Sequence, residues 1–90
     1  MDETEKIKEC IREIAGRVNN VLESEIAQIM SRLGKNGYDV KSRPAGDHAV
    51  LFTINSLSLS ICTHHRGGKQ LKAPYVRRFL RVMSELELYE

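Results

Sequence analysis

From Ala49 to Thr63 the chain alternates apolar and polar residues on both sides of Asn55-Ser56. A period of two marks a strand with one buried face. With Asn55 and Ser56 as a two-residue turn, Ile54 faces Leu57, Phe52 faces Leu59 and Val50 faces Ile61. These six large apolar side chains then share one face, and a slip of one residue would turn every one of them outward. The other face carries Leu51, Thr53, Ser58, Ser60 and Cys62. A hairpin with one apolar face needs cover, and the flanking segments supply helices for it.

The N-terminal third places apolar residues at Ile7, Ile11, Ile14, Val18, Leu22, Ile26, Ile29 and Leu33. Steps of three and four residues put them on one stripe of a helix. The spacing predicts a helix over residues 4–33, with Gly34 suited to a left-handed C-cap. Gly16, Asn19 and Asn20 are weak helix formers within it, and Asn20 with Glu23 offers a capping pair, so a break near Asn19 is the alternative. Unbroken, the helix is about 42 Å long at 1.5 Å per residue. A seven-residue strand reaches only about 23 Å. Ile7, Ile11, Ile14 and Val18 then lie beyond the sheet, and a second copy of the same helix is the simplest cover. These four residues are therefore the expected dimer interface, against the competing reading that the segment folds back on its own domain.

Tyr38 to Arg43 alternates again, which predicts a strand over 38–43 with Asp39, Lys41 and Arg43 outward. The central strands are expected over 48–54 and 57–65, and Pro74 opens a helix over 74–88. Its buried face is Val76, Phe79, Leu80, Met83 and Leu86, with Tyr75, Val82 and Tyr89 at the edges. The expected fold is a single α+β domain over residues 1–90. It is a two-layer sandwich in the order α-β-β-β-α, a three-stranded antiparallel meander covered on one face by two helices.

The charge distribution sharpens the functional reading. Residues 34–72 carry six Lys/Arg against two Asp/Glu, whereas residues 1–33 carry five against seven. The basic excess runs into the start of the last helix. The helix macrodipole favours acids in a first turn and bases in a last one. Here Lys69, Lys72, Arg77, Arg78 and Arg81 lead and Glu85, Glu87 and Glu90 follow. Such an order points to a bound anion, because free backbone N–H groups and basic side chains are what a phosphate needs. The plainer reading is a solvated basic face, with Arg81 paired to Glu85 one turn on. The candidate polyanion site is Arg66, Lys69, Lys72, Arg77, Arg78 and Arg81, with Lys41 and Arg43 as helpers.

Other chemistry is poorly supplied. Cys62 and His64 share one strand face while His65 and His48 fall on the other, so the four cannot close one tetrahedral metal site. Cys62 with His64 lacks a carboxylate to orient the imidazole, and Ser58 and Ser60 lack a base. No metal, cofactor or enzymatic activity is expected. Tyr38 and Phe52 read as core, not as base-stacking platforms. No apolar run is long enough to span a membrane. Two cysteines and an acidic N-terminus without a secretory pattern lead to the expectation of a cytoplasmic protein.

The element order resembles that of double-stranded-RNA-binding domains. The similar pieces are Tyr38-Asp39-Val40, Gly46-Asp47-His48 before Phe52-Thr53-Ile54, and Gly68-Lys69-Gln70-Leu71-Lys72 before the last helix. The resemblance covers roughly residues 22–86 and implies RNA contacts from those segments. The sequence departs from that family in its spaced Lys69 and Lys72, in Pro74 and in the bulky Phe79, Leu80 and Met83. The leading expectation is a small binding domain that meets a polyanion, nucleic acid first, through residues 66–81. The alternative is a homodimeric protein-interaction module whose arginines serve an acidic partner protein.

Overall fold

The computed structural model describes residues 3–46, 49–62 and 70–89. Their elements are α1 (Glu3–Ala15), α2 (Glu23–Lys35), β1 (Val40–Pro44), β2 (Ala49–Ile54), β3 (Leu57–Cys62) and α3 (Ala73–Glu85). The strands form one antiparallel sheet in the order β1-β2-β3. The fold is a small α+β sandwich, as expected, but with three helices where two were foreseen.

The hairpin has the register that its alternation demands: Ile54 opposes Leu57, Phe52 opposes Leu59 and Val50 opposes Ile61. Phe52, Ile54, Leu59 and Ile61 are buried. Asn55 opens the turn at φ 54°, a left-handed conformation that asparagine tolerates better than most residues. Its backbone N–H donates to the Asp39 carbonyl at 2.8 Å, and its side-chain oxygen accepts from the Asp39 N–H at 3.1 Å. The turn thus ties the entry of β1 to the hairpin.

The single helix expected over 4–33 is two helices. Weak helix formers occupy the break: Gly16 ends the first segment, and the Asn20 N–H turns back to the Arg17 carbonyl at 2.8 Å. Val21 and Leu22 are then extended. Leu22 bridges to Gln70, and the Leu71 N–H donates to the Val21 carbonyl at 2.8 Å. The break also changes which residues face inward. Val21 is fully buried, while Leu22, counted in the original stripe, is 43% exposed. The new helix is not capped by Asn20 and Glu23. Its N-cap is Leu22, whose N–H donates to Glu25 Oε2 at 3.0 Å, the reach-back half of a capping box.

Gly34 does not end α2; it lies inside the helix. The helix closes at Gly37, whose φ of +97° allows the Tyr38 N–H to reach the Leu33 carbonyl at 3.1 Å. This is the six-to-one bond of a Schellman cap, and it delays β1 from position 38 to Val40. α3 stops at Glu85, short of 88, by the same device. Glu87 is left-handed at φ 62°, its N–H meets the Ser84 carbonyl at 3.0 Å, and the Leu88 N–H meets the Met83 carbonyl at 2.8 Å. Leu88 and Met83 are both buried beneath this cap. Val82, expected at an edge of α3, is also buried.

α2 packs on β1, α3 packs on β3, and α1 packs on α2 and α3. The first helix is therefore a lid over the other two. Ile7, Ile11 and Ile14 are 1%, 0% and 2% exposed. Val18 packs against the same core. The expected dimer interface is thus the chain's own interior, and the fold-back alternative describes this segment. The physical reason is the break: 13 residues of α1 can lie across two neighbours, whereas an unbroken helix would have overshot them. Among the described residues no helix is long and apolar enough to cross a membrane.

Candidate nucleic-acid interface

α3 buries Val76, Phe79, Val82 and Met83, so the helical period sends Arg77, Arg78 and Arg81 outward. All three are exposed, as is Lys72 at the N-cap. With Pro74 the three arginines line a shallow groove of about 290 Å³. Arg66 and Lys69, the other two candidate cations, lie outside the described residues.

Among the described residues the groove's charge is uncompensated. Arg81 forms no ion pair with Glu85, and none of the three arginines pairs with a described acid. The first turn of α3 holds no acidic residue. Arg78 Nη2 reaches the Ser58 carbonyl at 3.5 Å, too long to hold the guanidinium firmly. Arg17 behaves differently. It grips both carboxylate oxygens of Glu25 at 2.9 Å. That fork, aided by the Leu22 N–H, holds the Glu25 carboxyl below its ordinary range against a smaller opposing effect of burial.

The sheet's outer face carries further cations. Lys41, Thr53 and Ser58 stand in one cross-strand row, and Arg43, Leu51 and Ser60 in the next. Lys41 and Arg43 are exposed, so the two helper cations do face outward. They sit at the β1 edge, roughly 10 Å across two strand spacings from β3. Arg78 stands at the β3 edge. A polar strip of Thr53, Ser58 and Ser60 is therefore bordered by cations on both sides.

Between that strip and α3 lies a second cleft of about 440 Å³, lined by Leu51, Ser58, Ser60, Pro74, Tyr75 and Arg78. Sequence reasoning missed this cleft. It placed Tyr75 at the edge of a buried stripe and Leu51 on an ordinary outer face. Their meeting depends on α3 starting beside an edge strand, a matter of packing. The meander order alone hinted at it by leaving β3 unpaired on one side.

His48, His64 and His65 lie outside the described residues. Among the described residues no three His, Cys, Asp or Glu side chains converge as a metal site would need. Cys10 is a free, half-buried thiol on α1.

No protein-family model, curated protein or solved structure matches the chain. The likeness to double-stranded-RNA-binding domains therefore rests on element order, which residues 23–85 retain as α2-β1-β2-β3-α3. Element order does not carry function with it.

Proposed function

We propose that the chain is a small, non-enzymatic, cytoplasmic domain that binds a polyanion, nucleic acid first, through the outer face of α3. One observation carries this reading: Arg77, Arg78 and Arg81 surround one groove with no acidic partner among the described residues. Guanidinium groups so placed match phosphate oxygens in charge and in fork geometry. Lys72, the Lys41–Arg43 edge and the charges of Arg66 and Lys69 add to the field. An acidic protein partner is the competing ligand. The homodimer reading loses its motive, since its apolar stripe is internal.

Salt titration tests the proposal. Binding of a short nucleic acid should weaken steeply as salt rises, because each neutralised phosphate releases condensed counterion. Replacing Arg77 and Arg78 together by Gln should lower affinity and reduce the salt slope by about 2, one unit for each lost phosphate contact. The same variant should change stability by no more than about 0.5 kcal/mol, as expected for exposed positions. Absence of binding to any nucleic acid at low salt would sink the reading.

A further inference from the structure

Pro74 and Arg78 belong to two adjoining clefts. On one side they close the arginine groove with Arg77 and Arg81. On the other they meet Tyr75 and face Leu51, Ser58 and Ser60 across the second cleft. Tyr75 and Leu51 are half-buried, and the two serines are exposed. The second cleft thus has an aromatic wall, an aliphatic contact on the sheet and two hydroxyls, with a guanidinium shared with the groove beside it. Its volume of about 440 Å³ falls in the lower part of the roughly 300–1,000 Å³ usual for small-molecule sites. That suits one planar group better than an extended one.

A nucleotide carries its phosphate and its base on one sugar. A phosphate held in the arginine groove therefore brings its base to the neighbouring cleft, provided that base is unpaired. In a duplex the base faces are covered by stacking, and RNA duplexes are read through shape, phosphates and 2′-hydroxyls. Unpaired bases instead stack on aromatic rings and on arginine planes.

We propose that the cleft between Leu51 and Tyr75 takes an unpaired base of a single-stranded nucleic acid whose phosphates follow Arg77, Arg78 and Arg81. The proposal rests on the polyanion reading above and narrows its ligand class. Tyr75 and Arg78 hold the faces of the base. Ser58 and Ser60 meet its edge, and a hydroxyl both donates and accepts, so the site discriminates weakly among bases.

The test titrates the full chain against three probes at fixed salt: a short oligouridylate, the same strand paired with oligoadenylate, and inorganic polyphosphate. The single strand should bind more tightly than the duplex. Tyr75→Leu should weaken oligouridylate binding roughly tenfold, the scale of one lost base–aromatic stack, with the salt slope and polyphosphate binding unchanged. Ser60→Leu fills the cleft from an exposed strand position and should act in the same direction without threatening the fold. The chain has no tryptophan, so quenching of tyrosine emission by oligouridylate should report the stack and should shrink in Tyr75→Leu. Preference for the duplex, or wild-type binding by both variants, would overturn the base site while leaving the arginine groove standing. Failure of all three probes to bind at low salt would overturn both.

Discussion

α1 and α3 are both 13-residue amphipathic helices, and each buries one apolar stripe in the same core. Their charges are arranged differently. α1 has Glu3 and Glu5 in its first turn and Arg12 in its last, so its ends suit the helix dipole. α3 has no acid in its first turn and no base in its last, and Arg77, Arg78 and Arg81 lie across its middle. The outer face of α1 can be explained by folding alone. That of α3 carries three arginines with no acidic partner among the described residues, which the proposed polyanion binding would account for. A buried stripe says which way a helix faces; the solvated side says whether the helix has further business.

The comparison can be broken most forcefully at the stripe of α1. Ile11→Ala should cost about 2–5 kcal/mol, the range for deleting a fully buried isoleucine side chain, read as a lowered urea midpoint with the chain monomeric throughout. A mild effect, or a folded dimer that separates on mutation, would return Ile11 to an interface and undo the account of α1 as a lid.

The connection after α1 gives a smaller test. Arg17 and Glu25 form a two-pronged pair, with each side chain about a third exposed. Glu25→Gln should cost about 1 kcal/mol, toward the upper end for pairs open to solvent. The sign of its pH dependence follows from the lowered carboxyl pKa. The contribution is full above the ordinary carboxylate value and is lost as pH falls through the lower folded value. Urea midpoints of wild type and Glu25→Gln should converge in acid. A gap that persisted there would mean that the pair holds the connection through packing instead of charge.

The smallest expected effect lies at the far end of α3. Glu87 occupies a left-handed conformation at φ 62°, which glycine adopts without strain. Glu87→Gly should raise stability by up to about 1 kcal/mol. Loss of stability would show that the Glu87 side chain contributes more than its backbone conformation costs.

The hairpin was legible because alternation and a two-residue turn determine register locally: Val50, Phe52 and Ile54 can face inward in one pairing only. The arginines of α3 were legible as a patch for a similar reason, since the positions of Val76, Phe79 and Met83 dictate which residues remain outside. The first helix was misread because its stripe has no gap. Val18, Leu22 and Ile26 continue the helical period across a segment where the backbone turns. Gly16, Asn19 and Asn20 made the turn affordable without requiring it.

What required the turn is tertiary. Val21 enters the core and its carbonyl accepts the Leu71 N–H, a partner fifty residues away that no local pattern announces. The same holds for the cleft between Leu51 and Tyr75. The sequence by itself determined the sheet, its buried face and the helix that carries the basic groups, because each depends on periodicity within one segment. Where α1 lies, that its stripe is interior, and that an aromatic ring stands beside the arginine groove were decided only in three dimensions, by which apolar surfaces could cover one another.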